Sequence, residues 1–265
     1  MSGSPAPYEH LEVESAERDT LLHVTLNRPK GNVLTEAMME ELSGALETHR
    51  SNRHLRLVVL SGAGPHFSFG ASVEEHRRDQ AAQMLATFHR LIKQVAAFPV
   101  PVSALVSGNC LGGAFELVLA CHLVFATPDA RFGCPEIKLG VFPPVLAVLG
   151  GRRLGDAAAE RLLLAGGTID VSEADRLGFL TAVLDGPDAW DGLLAWYREN
   201  LGPLSAHALR TATRAARETS GMLADLEHAL GAAEGLYVSE VLNSADGNEG
   251  IEAFLDKRLP EWRDE

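Results

Sequence analysis

Residues 107–126, SGNCLGGAFELVLACHLVFA, constrain the fold more than any other part of the chain. The residues before them, 102–106, form an apolar run typical of a short buried strand, and those after the glycines are typical of a buried helix. Gly112 and Gly113 predict a turn that brings backbone close to a ligand and points free N–H groups at it. Such a turn suits a negative charge, whether already present or developing during a reaction. The carboxylate of Glu116 follows directly, inside an otherwise apolar segment.

The same apolar stretch, residues 100–126, is long enough to raise the alternative of a membrane span. It is interrupted, however, by Pro101, three glycines, Asn109, Glu116 and His122. A buried strand–turn–helix–strand accounts for it better. The N-terminus also has no positively charged region followed by an apolar core, so no signal peptide is predicted. We therefore expect a soluble cytoplasmic protein with no membrane partner.

The charge of the chain argues against a nucleic-acid partner. Its 265 residues carry 36 acidic and 23 basic side chains, a net charge of −13. A protein that binds a phosphate backbone needs a basic face. The acidic total still allows a local basic patch that holds one phosphorylated cofactor.

The three cysteines have no CxxC pair. Cys110, Cys121 and Cys134 could be imagined as a zinc site together with His122, but the spacing is wrong for a structural zinc. Small buried thiols are the better interpretation. No metal is expected.

Hydrophobic periodicity predicts strands that alternate with helices as far as about residue 185. Strands are predicted at 11–15, 21–27, 56–61, 102–106, 123–126, 131–133 and near 182–184. Helices are predicted after the cap at Thr35 and at 84–95, 114–121, 144–154, 156–164, 172–177, 190–197, 203–217, 222–243 and 247–257. This alternation favours an α/β fold with a largely parallel sheet. We divide the chain into an α/β core, residues 1–200, and a helical C-terminal oligomerisation region, residues 201–265, since a helical tail without its own core packs on the main domain or another subunit.

A second carboxylate, Glu136, follows Glu116 by twenty positions, in FGCPEIKLG. Adding water to a double bond needs one group that takes a proton from water and one that gives a proton to carbon. Two close carboxyl groups in a poorly solvated site divide this work when one stays protonated. Other interpretations stay open, because a glutamate near a helix N-terminus is favourable for the dipole alone and a turn glutamate is commonly solvated. No HExxH, GxSxG or GxGxxG pattern offers other chemistry.

Together the motifs resemble the enoyl-CoA hydratase/isomerase (crotonase) superfamily over nearly the whole chain. The most specific pieces are HFSFGAS (66–72), residues 107–126 and FGCPEIKLG (132–140). The resemblance implies a spiral of strand–strand–helix units with a helical C-terminal region. It also implies an oxyanion hole made by the N–H groups of Ala71 and Gly113, and acid/base catalysis by Glu116 and Glu136.

The resemblance further implies a coenzyme A thioester as substrate, so that coenzyme A is part of the substrate and no other cofactor is expected. The coenzyme would contact Phe69, Gly70 and Lys30. Phe254 and Lys257 match tail positions that reach the coenzyme from a neighbouring subunit. A homotrimer or a hexamer, as a dimer of trimers, is expected.

Three positions depart from the superfamily pattern. Ser72 stands where an aspartate is frequent, and Glu74 replaces a lysine, which puts that coenzyme contact in doubt. PPVLAV at 143–148 replaces a glycine-rich loop, so the acyl pocket should have a more apolar wall. We expect this wall to include Phe142, Pro143 and Val145.

The motifs FSFGASVEEH and PEIKLGVFPP are similar to those of one subgroup, the cyclohexa-1,5-diene-1-carbonyl-CoA (dienoyl-CoA) hydratases. That similarity implies water addition to a cyclic dienoyl thioester. An enoyl-CoA isomerase or acyl-CoA hydrolase on the same scaffold is an alternative. Two further alternatives are a non-catalytic acyl-CoA-binding subunit and an RNA-binding relative.

Overall fold

The computed structural model describes residues 8–184 and 189–265. The strands are β1 (Leu11–Ala16), β2 (Leu21–Leu26), β3 (Leu57–Gly62), β4 (Val102–Val106), β5 (Asn109–Leu111), β6 (Leu123–Ala126), β7 (Arg131–Gly133), β8 (Thr168–Asp170) and β9 (Ala182–Val183). The helices are α1 (Glu36–Arg50), α2 (Ala81–Ala96), α3 (Gly113–Ala120), α4 (Pro144–Leu154), α5 (Asp156–Ala165), α6 (Val171–Arg176), α7 (Ala189–Asn200), α8 (Ala206–Glu218), α9 (Met222–Leu236) and α10 (Ala245–Leu255).

Six strands form one sheet in the order β1-β2-β3-β4-β6-β9. Only the first pair, β1 and β2, is antiparallel; the other neighbours are parallel. Strands β3 and β4 are mainly apolar and almost entirely buried, as expected where both faces of a sheet are covered. Val58 and Leu60 belong to the main core, whereas Leu57 and Val59 pack in a second cluster with Tyr197 of α7. The two-residue period thus assigns alternate side chains to opposite faces.

A second, three-stranded sheet has the order β5-β7-β8. The chain places β4 in the large sheet and β5 in the small one before it enters α3. It repeats this step with β6 and β7 before the helices α4 and α5. Strand–strand–helix units therefore succeed one another along the chain, which confirms the expected α/β class and its crotonase-like spiral.

The predicted strands and helices are present, and two strands were missed. Strands β5 and β8 have three residues each, too few to show a period of two. The helix predicted at 222–243 is interrupted, since α9 ends at Leu236 and a π-helical segment, Tyr237–Val241, follows. The segment predicted as a turn around Glu136 is a 3-10 helix, Glu136–Leu139.

The C-terminal helices complete the core of their own chain. Met222, Leu226 and Leu230 of α9 are buried members of the main cluster, and α9 packs on α2 and α4. The 201–265 region thus has a structural role within one subunit. Its assembly role, and the boundary at residue 200, stay predictions.

Two further findings bear on the alternatives raised by the sequence. In the described part of the chain, no helix combines the length and the apolar content needed to cross a bilayer. Cys110, Cys121 and Cys134 are buried free thiols. Within residues 8–184 and 189–265, no three His, Cys, Asp or Glu side chains group as metal ligands.

If α9 is part of the core, Leu226→Ala should lower the free energy of unfolding by about 2–5 kcal/mol, through lost burial and the cavity left behind. The matched control is Leu164→Ala on α5, whose side chain is 71% exposed and whose loss should change stability by less than about 0.5 kcal/mol. Urea unfolding of both variants measures the difference. Equal effects would show that α9 does not support the core.

Candidate active site

The two glutamates singled out by the sequence line one cavity. Glu116 lies in the first turn of α3, and Glu136 begins the 3-10 helix that follows β7. The cavity has a volume of about 70 Å³, more than a water molecule needs. Chain segments far apart in sequence thus bring two carboxyl groups to one small space.

Glu116 is held by the N-terminus of α4. Its side chain is 3% exposed, and its Oε1 accepts hydrogen bonds from the N–H of Val145 at 2.6 Å and of Leu146 at 3.0 Å. These N–H groups are free because the first turn of a helix has no carbonyl partners for them. Pro144 suits the first position of α4, where no N–H is needed and its fixed φ already fits the helix. The positive end of the α4 dipole therefore faces the carboxylate.

Burial raises the pKa of Glu116 to about 7, and the N–H groups of Leu146 and Val145 oppose this rise. Burial also raises the pKa of Glu136 well above its usual range, and the charge of Glu116 raises it further. The Oε2 of Glu136 is buried without a hydrogen-bond partner among the described residues. A carboxyl group with fewer donors holds its proton longer. The two carboxyl groups thus titrate as a coupled pair, in which ionisation of one opposes ionisation of the other.

Gly112 allows Glu136 to approach the turn. Its φ is +54°, and a Cβ at this position would lie 2.7 Å from Oε1 of Glu136. Its N–H donates to the carbonyl of Gly133 at the end of β7. A side chain at residue 112 would therefore meet both backbone strain and the carboxyl group.

The N–H groups of Ala71 and Gly113 lie side by side at the cavity. A Cβ built on Gly113 would be 3.3 Å from the amide nitrogen of Ala71. The chain around Ala71 is fixed by Leu34, whose N–H donates to Gly70 and whose carbonyl accepts from Ser72. Within the described residues, neither amide has an acceptor. Two adjacent unused N–H donors at a mainly apolar cavity suit an oxyanion.

The rest of the cavity wall is mainly apolar, and Phe142 and Pro143 belong to it. The side chain of Val145 does not; it is fully buried in the core, and the residue contributes its N–H to Glu116 instead. Pro144 takes its place in the wall. The remaining apolar members are Phe69, Val73, Met84, Leu85, Phe88, Pro135 and Leu139.

Phe69 connects this cavity with a second cleft, of about 620 Å³, because its side chain lines both. Arg28 and Lys30 bring positive charge to the second cleft. Gly70, with a φ of +99°, lies against Leu111 and the glycine turn. An extended ligand with an anionic end would find an apolar cavity on one side of Phe69 and basic groups on the other.

Phe254 and Lys257 line neither of these spaces within one chain. Phe254 lies on α10 with its side chain 53% exposed. Lys257 follows the helix in a left-handed conformation, with a φ of +55°. Any contact of these residues with a ligand in this cavity depends on a neighbouring subunit.

Two polar side chains of the cavity were missed by the sequence analysis. Tyr237 follows α9, and His76 lies in a short 3-10 helix after Ala71. His76 donates from Nδ1 to the carbonyl of Ser72, and burial lowers its pKa, which keeps the ring neutral. No local motif marks either residue, because only the tertiary fold brings them to the glutamates.

Comparison with known proteins shows which family the chain resembles. A family model described as enoyl-CoA hydratase/isomerase matches residues 16–265. The cyclohexa-1,5-dienecarbonyl-CoA hydratase of Thauera aromatica is 44% identical over 247 residues, which is 93% of this chain and 94% of that protein. The 2,3-dehydroadipyl-CoA hydratase of Escherichia coli (strain K12) is 31% identical, over 95% of this chain and 98% of the relative.

Solved structures show the same fold. An enoyl-CoA hydratase from Mycobacterium avium subsp. paratuberculosis K-10 matches with a TM-score of 0.83 and 28% identity, over 97% of this chain and 99% of the other. The family match spans nearly the whole chain and covers both glutamates and both amides. The chain belongs to the enoyl-CoA hydratase/isomerase family.

Proposed function

We propose that this protein adds water to the α,β double bond of an acyl-CoA thioester. One observation carries the proposal: two buried carboxyl groups with raised pKa values share a small cavity with two unused backbone N–H groups. The hydratases among the relatives support the same reaction class.

In the proposed mechanism the ionised Glu116 takes a proton from water as the water oxygen bonds to the β carbon. The π electrons move toward the thioester oxygen, whose negative charge the N–H groups of Ala71 and Gly113 stabilise. Glu136 gives its proton to carbon, and the enolate electrons form the new C–H bond. Each such oxyanion donor contributes about 10²–10³ in rate. The proton left on Glu116 returns to Glu136 before the next turnover.

The proposal places the acyl group in the apolar cavity and the coenzyme across Phe69. Gly70 lets the chain pass close to the glycine turn, and Lys30 supplies positive charge for a phosphate. Coenzyme A is then part of the substrate, and the enzyme needs no separate cofactor. No nucleic-acid partner belongs to the proposal, since the chain carries a net charge of −13.

Assembly into a homotrimer or hexamer would bring Phe254 and Lys257 of a neighbouring subunit to the coenzyme. Exposed large apolar side chains in the C-terminal region support such an assembly. They are Leu204, Leu236, Phe254, Leu259 and Trp262. The proposal locates the enzyme in the cytoplasm, where free buried thiols such as those of Cys110, Cys121 and Cys134 are ordinary.

A cyclic dienoyl group is the acyl chain that we propose. Its support is the Thauera aromatica relative and the wall formed by Phe142, Pro143 and Pro144, whose flat and ring-shaped faces suit a planar ring. Double-bond isomerisation is the second candidate, because the family model covers isomerases as well. Proton transfer at carbon alone does not require both carboxyl groups, and here both are buried in one cavity.

The first test is incubation of the purified protein with cyclohexa-1,5-diene-1-carbonyl-CoA and, separately, crotonyl-CoA, with products followed by mass. Gain of one water on the cyclic thioester is expected. Glu116→Gln and Glu136→Gln should each lower turnover by at least about 10²-fold, since each removes one proton-transfer group. Binding of coenzyme A should stay within about twofold, because neither change touches the proposed coenzyme contacts.

Four results would contradict this proposal. Near-normal turnover in either variant would remove the two-carboxylate mechanism. Hydration of crotonyl-CoA alone would reject the cyclic acyl group while keeping the hydratase. Double-bond migration without a mass gain would favour the isomerase, and release of free thiol would favour a hydrolase.

The rate of hydration should depend on pH in a bell shape. Glu116 must be ionised, and its pKa is about 7, so kcat/KM should rise through neutral pH rather than through pH 4–5. Glu136 must be protonated, and burial raises its pKa well above the usual range, so the rate should fall on the alkaline side. The two limbs report the pair and not single residues. An acidic limb at the ordinary carboxylate range, measured with the wild-type enzyme, would contradict the assigned roles.

Gly112→Ala should lower hydration at least about tenfold, because the new Cβ would displace the carboxyl group of Glu136. Gly178→Ala is the matched control: its φ is +72°, and a Cβ there meets nothing within 4 Å. Both variants carry the strain of a left-handed alanine, about 1 kcal/mol or more, and should lose similar stability. Comparing kcat/KM and melting temperature separates the effect on the site from the strain. Equal activity in both variants would refute the contact as a requirement.

A further inference from the structure

Tyr237 is a polar side chain of the cavity that the proposed mechanism does not use. It is 1% exposed and lines the cavity together with Glu116 and Glu136. It opens the π-helical segment that follows α9. Such segments are frequent at functional sites, because the extra residue in the turn redirects a side chain.

The hydroxyl of Tyr237 has no hydrogen-bond partner in the described part of the chain. Its ring packs against that of Phe142, with centroids 5.5 Å apart. A buried hydroxyl without a partner destabilises the folded protein, whereas a phenylalanine would fill the same space without this cost. The hydroxyl therefore points to a partner that enters the cavity with the ligand.

The polar groups of the cavity wall indicate what kind of group this partner is. Among the described residues, the polar side chains of the cavity are those of His76, Glu116, Glu136 and Tyr237. Burial, and then the charges of Glu136 and Glu116, raise the pKa of Tyr237 far above neutral. The hydroxyl is thus a permanent donor on the carboxylate side of the cavity. The thioester oxygen already has its donors in Ala71 and Gly113.

The cavity holds a second buried polar atom without a partner in the described residues, the Oε2 of Glu136. A small hydroxyl-bearing group placed between Tyr237 and Glu136 would give both atoms a hydrogen bond. In a hydration reaction that group is first the attacking water and then the new hydroxyl on the β carbon.

We infer that Tyr237 is a substrate-contacting residue whose hydroxyl, with Glu136, binds the attacking water and the β-hydroxyl of the product acyl-CoA. The inference rests on the proposed hydratase function and names the group that orients the water. Its consequence is selectivity: the cavity should prefer a β-hydroxyacyl thioester over the same thioester without the hydroxyl.

The test is Tyr237→Phe, which keeps the ring and removes the oxygen. Dissociation constants are measured calorimetrically for 3-hydroxybutyryl-CoA and butyryl-CoA, two small thioesters that differ only in the β-hydroxyl. The variant should bind 3-hydroxybutyryl-CoA about 5–10-fold more weakly, the effect of one hydrogen bond, and butyryl-CoA unchanged. On an enoyl thioester that the wild type hydrates, kcat should fall at least about tenfold while KM changes little.

Tyr197→Phe is the matched control. Tyr197 is also 1% exposed, but its hydroxyl pairs with Thr20 on the other face of the large sheet. This variant loses a buried hydroxyl without touching the cavity, so both dissociation constants should stay within about twofold of the wild type.

The outcomes separate this inference from the proposed function. Equal weakening of both thioesters by Tyr237→Phe, or no change in either, would overturn the hydroxyl contact. Selective weakening together with a wild type that hydrates no enoyl thioester would support the contact and reject the hydratase. A wild type that hydrates an enoyl thioester, together with a Tyr237→Phe variant whose kcat is normal, would show that hydration does not need the hydroxyl and would overturn the inference.

Discussion

The bonds from the first turn of α4 to the carboxylate of Glu116 are the interaction on which the rest of the site depends. A buried carboxylate without partners costs several kcal/mol, of the order found for unpaired buried ions. Two N–H donors and the positive end of a helix offset this cost while leaving the group partly basic, as its pKa of about 7 shows. Without them Glu116 would be protonated, or the cavity would fill with water. These two hydrogen bonds thus hold a carboxyl group in an apolar space.

The two hydrogen bonds to Glu116 also explain the Pro143–Pro144 pair, which the sequence analysis treated only as part of the cavity wall. Pro143 is extended and Pro144 opens α4, so the first free N–H groups of the helix belong to Val145 and Leu146. Rigid residues here fix where those donors point. One short segment therefore lines the cavity with its proline rings and holds the carboxylate of Glu116 with its backbone.

Much of the fold could be predicted from the sequence because the patterns that determine its elements are local. The apolar runs of β3 and β4, the cap at Thr35 and the glycine turn before α3 each determine their own element. Strands β5 and β8 were missed because three residues carry no period. Tyr237 and His76 were missed for a different reason: their function depends on which cavity the completed fold turns them toward. The positions of Phe254 and Lys257 relative to a ligand cannot be predicted from one chain, since their proposed ligand contact needs a second subunit.

The spacing of the GGAFE motif, residues 112–116, places the turn and the first carboxylate on one helix. Gly113 and Glu116 are three residues apart on α3 and share one face of the helix. One helix therefore presents an N–H group from its first residue and a carboxylate from its first turn toward the same cavity. Gly112, just before them, leaves room for Glu136. Lengthening the spacing by one residue would rotate Glu116 by about 100° and separate the base from the amide. The chemistry thus depends on the helix period as much as on the residue types.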